Sequence, residues 1–188
     1  RGWGKTRTGA QDIAFYGLTR PNSRIAIVAP THRDGRDTCI EGISGLLSCF
    51  DRELIENWNR SIGELTLKNG TIYRTFSAEQ PDRLRGPQFH RAWCDELGAW
   101  KNDEAWDQLL FGLRLGENPQ IVVTTTPKPT DIIKELVNSK DSLVTRGSTF
   151  ENKDNLAESA VKKLEQKYSG TRLGRQELYA EILEDVEG

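Results

Sequence analysis

The chain has 188 residues, 36% hydrophobic and 29% charged, enough to bury one globular core and too apolar for a disordered tail. Its formal net charge of −2 supplies no overall attraction to nucleic acid, so any such contact would rest on local patches. No apolar run approaches the roughly 18 residues a membrane span needs, and the opening Arg1–Lys5 does not read as a signal peptide. Cys39, Cys49 and Cys94 form an odd count without CxxC spacing, which suits a reducing, intracellular compartment. Two histidines, His32 and His90, argue against a His/Cys zinc site.

In chain order, Arg1–Thr6 reads as a glycine-rich loop, and Lys5 to about Leu18 as the helix it opens. Arg24–Ala29 is an apolar run of strand length stopped by Pro30. About Gly35–Leu47 is expected to be helical, with Leu54–Trp58 extending it after a break. Glu64–Leu67 and Thr71–Phe76 flank Asn69-Gly70, a strong hairpin signal. A short strand at Arg91–Asp95 precedes a helix near Glu104–Leu113, and Gln120–Thr124 is the clearest buried strand. A helix near Asp131–Asn138, a strand at Ser142–Arg146 and two helices, about Leu156–Tyr168 and Arg172–Leu183, complete the reading. Apolar strands alternating with helices predict an α/β fold: a parallel sheet covered on both faces.

Three motifs carry chemistry. Gly4-Lys5-Thr6, with Gly2 and Trp3 before it, supplies the end of GxxxxGK[ST]. Phosphates need inward backbone N–H groups, a helix N-terminus, a lysine at the β and γ oxygens and a hydroxyl for magnesium. Alone, the tripeptide reads equally well as a helix start with an exposed lysine. About 90 residues later the run Arg91–Asp95 ends in Asp95-Glu96. There the first carboxylate can hold a magnesium shell from a strand tip and the second can polarise a water; the bland alternative is an acidic pair opening a solvated helix. The third motif, Thr124-Thr125-Thr126-Pro127, puts hydroxyls at the carboxyl edge of the sheet, where open α/β sheets bind ligands. By itself it is a polar strand end stiffened by Pro127 and Pro129.

With these residues in place the chain resembles the large subunit of phage terminases, the ATP-driven DNA-packaging motor. The resemblance rests on Arg1–Thr6, on Leu84-Arg85-Gly86 upstream of Trp93–Glu96, and on Thr124–Pro129. It continues through Gly147–Asn152 and Gly174–Ile182, and so covers nearly the whole chain. It implies an ASCE/RecA-like P-loop NTPase, a three-layer sandwich with a mostly parallel sheet. The strand before the phosphate loop is expected to be lacking. ATP and Mg2+ would be bound by Gly2, Trp3, Gly4, Lys5 and Thr6, with Asp95 as the second magnesium ligand and Glu96 as the catalytic carboxylate. Thr124, Thr125 and Thr126 would couple hydrolysis to motion. Arg1 matches the arginine these motors carry in the phosphate loop, and Arg85, eleven residues before Glu96, the position of a finger that completes a neighbour's site.

The resemblance further implies double-stranded DNA as partner, a homo-oligomeric ring on the capsid portal, a small terminase subunit and work in the host cytoplasm. Residues 1–188 are expected to form a single ATPase domain without the family's C-terminal nuclease domain, and without nuclease activity. Two other classes stay open on the residues alone: the core of another strand motor, such as a helicase, and a non-hydrolysing α/β binding module, against which Glu96 speaks. Of the basic residues, Arg83 and Arg91 read as solvated loop arginines, while Arg85 could equally be loop or finger.

Overall fold

The computed structural model describes residues 4–155 and 157–183. The described residues form two compact units, Thr6–Thr124 and residues 125–183 with Gly4 and Lys5. The first unit holds a six-stranded sheet in the order β2-β3-β4-β1-β5-β6. β1 (Arg24–Ala29) lies between β4 (Ile72–Ser77) and β5 (Arg91–Asp95), parallel to both, and β6 (Gln120–Thr124) pairs in parallel with β5. β3 (Glu64–Leu67) returns antiparallel to β4 through the turn at Asn69-Gly70, where Gly70 adopts φ +85°, and β2 (Ile55–Asn59) adds antiparallel to β3. The fold is α/β with a mostly parallel sheet, as expected.

Alternation along the strands separates two cores. Ile25, Ile27, Tyr73 and Trp93 face helix α1 (Lys5–Thr19), while Ala26, Val28, Ala92 and Cys94 face helix α2 (Glu104–Gly112) with Leu84 and Phe89. α1 approaches the sheet through small residues. A Cβ on Gly9 would lie 2.3 Å from the Trp93 indole, and one on Gly17 2.0 Å from the Tyr73 hydroxyl, so no larger side chain fits either place. That hydroxyl instead donates to the Ile13 carbonyl at 3.0 Å, and Thr71 donates to the Gly17 carbonyl at 2.9 Å. These contacts set the direction of α1. Its carboxyl end lies at the start of β4, and Gly9 lies over the far half of β5, so its amino end points to the carboxyl edge of the parallel strands.

Several expectations are corrected. The helix expected over 35–47 is a π-helical segment, Asp34–Ile40, with Glu41 N–H bonded to the Arg36 carbonyl at 2.8 Å, followed by a 3-10 turn at Leu46–Cys49. Gly42 and Gly45 end it, since a Cβ on either would come within 2.5 and 2.7 Å of the carbonyls of Thr38 and Ile40. Of the stretch Leu54–Trp58, expected to be helical, only Leu54 closes a 3-10 turn (Arg52–Leu54), and Ile55–Trp58 belongs to β2. A bulge between Ile55 and Asn57 brings Ile55 and Trp58 onto the same core despite their spacing of three, which mimics a helix period.

The second unit contains α3 (Asp131–Asn138), a 3-10 segment at Thr149–Asn155, α4 (Glu158–Tyr168) and α5 (Arg172–Glu177). The expected strand at 142–146 is absent: the segment has no ladder partner among the described residues, and Leu143 is 95% exposed. The expected last helix stops at Glu177, and Ala180 at φ +55° turns the chain away from helical geometry. Leu156, where α4 was expected to begin, lies outside the described residues. No helix among the described residues is long and apolar enough to cross a membrane.

Candidate active site

β5 delivers Asp95 to the carboxyl edge of the sheet with only 5% of its surface exposed. Three side chains of the sheet's α1 face order it. Thr124, paired with Asp95 in the β5–β6 register, donates its hydroxyl to Asp95 Oδ1 at 2.7 Å. The indole Nε1 of Trp93, two residues earlier on the same face, donates to Thr124 Oγ1 at 2.7 Å. From the π-helical segment, Cys39 Sγ lies 3.6 Å from Asp95 Oδ2. Burial first, and the Asp95 carboxylate next, push the Cys39 thiol well above its ordinary range, so it stays an S–H donor.

Glu96 follows in a left-handed conformation, φ 48° and ψ 44°, unusual for a side chain that is neither Gly, Asn nor Asp. Its N–H donates to the Thr124 carbonyl at 2.6 Å, so the turn out of β5 is clamped to the end of β6. Half-buried Glu96 is thereby held at the strand tip. The Trp100 indole donates to the Asp95 carbonyl at 3.1 Å and closes the turn from the other side.

Gly4, at φ +90°, and Lys5 lead directly into α1. A glycine-permitted backbone ahead of a helix N-terminus suits an anion. Thr6 lies in the first turn of α1, one turn from Gly9, at the end of the helix that points to the edge where Asp95 sits. Thr6 hydroxyl and Asp95 carboxylate are hard oxygen donors, and magnesium typically takes one or two such protein ligands and completes its shell with phosphate and water. These residues therefore fit magnesium. Arg1, Gly2 and Trp3 lie outside the described residues.

The structure thus brings Asp95, Glu96 and Thr124 together. Thr125 and Thr126 belong to the other unit, where Thr125 donates to the Thr126 carbonyl at 3.0 Å. Arg85 stands apart in the loop before β5, its side chain 61% exposed and 3.2 Å from Asp82. It borders a hollow of about 200 Å³ with Leu84, Pro87, Phe111 and Arg114. Arg91 is no solvated loop residue. Only 16% exposed, it grips both Asp12 oxygens at 2.7 Å, donates to Gln120 at 2.7 Å and stacks over Tyr16, tying α1, β5 and β6 together. Sequence reasoning also missed Trp93 and Cys39 as partners of the acidic pair. A buried indole N–H must find an acceptor, and that was the available signal.

The family model described as Terminase large subunit, T4likevirus-type, N-terminal, matches residues 1–188. No curated protein matched the chain. Among solved structures, the Thermus phage P74-26 large terminase ATPase domain is 18% identical, with a TM-score of 0.72 over 97% of this chain and 86% of that one. The large terminase of a thermophilic bacteriophage, in complex with ADP, is 13% identical, TM-score 0.73, covering 93% of this chain and 44% of that one. The HK97 bacteriophage large terminase is 16% identical, TM-score 0.68, with 97% and 45% covered. At these identities the structural likeness speaks for the shared P-loop NTPase-like fold.

Proposed function

This chain belongs to the terminase large subunit family of T4-like virus type, and from that premise we propose that it hydrolyses ATP to drive double-stranded viral DNA into a procapsid. The observation that carries the reading is the tip of β5: a buried Asp95 whose carboxylate is oriented by Thr124, followed at once by a clamped Glu96. One residue is fixed as a ligand and the next is held apart from it as a base, which is the division of labour phosphoryl transfer needs. The large terminase of the thermophilic bacteriophage, solved once with ADP and once with ATP-γ-S, supports nucleotide as the ligand class.

In this reading Gly4 and the N-terminal turn of α1 cradle the phosphates, with Gly2 and Trp3 completing the loop, and Lys5 neutralises β and γ oxygens. Thr6 and Asp95 would hold Mg2+, which when bound draws charge from the β and γ phosphate oxygens. Glu96 orients a water and accepts its proton as the water attacks the γ-phosphoryl, whose bond to the β–γ bridging oxygen breaks to release ADP and phosphate. Arg1 within the loop and Arg85 stabilise the charge that spreads onto the transferring and leaving oxygens. Exposed Arg85, paired at the surface with its near neighbour Asp82, is suited to reach into the site of an adjacent copy in a ring on the capsid portal. Thr124, Thr125 and Thr126 carry the response to phosphate loss into the residues after β6. A small terminase subunit delivers the DNA, in the host cytoplasm.

The test is Glu96→Gln. ATP binding should persist while turnover falls by roughly 10²-fold or more, the scale of a positioned base. Turnover as fast as wild type would end the catalytic assignment. Arg85→Ala should likewise keep binding and lose roughly 10³-fold in rate. An unchanged rate with the assembled motor present would remove Arg85 from the site.

A further inference from the structure

We propose that Trp93 is a positioning residue for the magnesium site, acting through Thr124 to aim the Asp95 carboxylate. The inference rests on the ATPase reading above and adds a residue to it. A threonine hydroxyl has one proton and two lone pairs. The Trp93 indole can only donate, and at 2.7 Å it occupies a lone pair of Thr124 Oγ1. The hydroxyl proton is then committed to its other neighbour, Asp95 Oδ1, also at 2.7 Å. The result is a chain with one possible sense, indole N–H to hydroxyl to carboxylate. Both oxygen contacts are short, and the whole chain is buried, so water does not compete for its members.

Geometry explains why these residue types occur here. Trp93 and Asp95 are two apart on β5 and so share a face, while Thr124 is the register partner of Asp95 on β6. The indole therefore reaches the hydroxyl along the diagonal of the ladder. Gly9 gives the space: its missing Cβ would stand 2.3 Å from Trp93 Cε2 and Nε1. The helix that carries Thr6 thus rests on the same indole that sets the second magnesium ligand. Cys39 at Oδ2 leaves the carboxylate bounded on both oxygens, and rotation about its last bond is restricted.

The experiment measures ADP affinity of the purified protein by calorimetry, once with Mg2+ and once with EDTA, and takes the ratio as the magnesium advantage. Thr124→Val keeps the side-chain shape but removes the hydroxyl. It should lower that advantage at least five-fold while metal-free ADP binding stays within two-fold of wild type. Trp93→Phe should do the same to a smaller degree, and Thr124→Ser, which keeps a hydroxyl in place, should restore the wild-type ratio. A purely structural role would weaken both affinities together and leave the ratio unchanged, and that result would overturn the proposal. Where Thr124→Val fails to fold, NMR of the wild-type indole N–H decides. The Trp93 signal should shift on adding MgADP to the apo protein and not on adding ADP with EDTA; equal shifts would refute the role. Wild-type protein that binds no nucleotide at all would instead sink the ATPase reading, an outcome separate from these.

Discussion

Glu96 occupies a backbone region that its side chain disfavours, and the cost can be isolated by comparing two variants that both lack the carboxylate. For an L residue the left-handed region costs about 1–2 kcal/mol, and glycine there costs nothing sterically. Glycine also gains freedom in the unfolded chain, which returns about 0.5–1 kcal/mol to the unfolded side. Glu96→Gly should therefore be more stable than Glu96→Ala by about 0.75 kcal/mol at the middle of the two ranges, and by at most about 1.5 kcal/mol. For a chain of this size the middle value is about 1.5–3 °C in Tm. Neither variant should hydrolyse ATP. The comparison is made by urea and thermal unfolding without nucleotide, and the alanine variant serves as reference because it loses the same side-chain contacts. The expected order arises from φ 48° together with the 2.6 Å bond from Glu96 N–H to the Thr124 carbonyl, which stops the turn from relaxing. An alanine variant as stable as the glycine variant, or more so, would show that the strain does not exist in solution. Strain at this residue would mean that the position of the carboxylate is maintained against a local preference, as expected of a residue held for chemistry.

Gly17→Ala places a methyl 2.0 Å from the Tyr73 hydroxyl and should destabilise by about 1–3 kcal/mol in urea unfolding, without changing the magnesium advantage in ADP binding; wild-type stability would mean that α1 packs less closely than described. Glu41 accepts from the Trp58 indole at 2.9 Å and from Arg60 at 3.0 Å, and these partners, Trp58 first, hold its pKa below the ordinary value of 4.5. A depressed folded pKa gives stability that is present above the unfolded value and lost as pH falls through the folded one. Wild type should accordingly lose more stability than Glu41→Gln between about pH 6 and pH 3, and parallel pH profiles would refute the clasp.

Much of the site was legible because its signals are local. Gly4-Lys5-Thr6 announces a helix start, Asn69-Gly70 a hairpin, and the apolar runs ending at Asp95 and Thr124 announce strand tips on one edge. What was hidden depends on register. That Thr124 lies opposite Asp95 follows from β5–β6 pairing, which no spacing in the chain reveals. Trp93 is a core aromatic, but its nitrogen needs an acceptor whose identity only the pairing supplies. Arg91 looked solvated because its partner Asp12 lies on α1, far back in the chain. β2 was misread because a bulge imposed helix-like spacing on a strand, and the 142–146 segment because alternation alone cannot create a neighbouring strand.

The same distinction between local and long-range partners bears on the arginines. Three arginines in the middle of the chain each have an acidic neighbour: Arg74 has Glu64 at 3.7 Å, Arg91 has Asp12, and Arg85 has Asp82. These pairings differ in kind. Arg91 is bidentate and largely buried, so removing it from Asp12 would leave a carboxylate without its partner against the sheet. Arg85 and Asp82 are 61% and 79% exposed, and exposed pairs of this sort contribute about 0.2–1 kcal/mol. A finger that accelerates phosphoryl transfer by about 10³–10⁵ stabilises the transition state by roughly 4–7 kcal/mol. The Asp82 contact is therefore too weak to compete with such a role. Of the two arginines, Arg85 has the poorer partner in its own chain, as the proposed finger role requires.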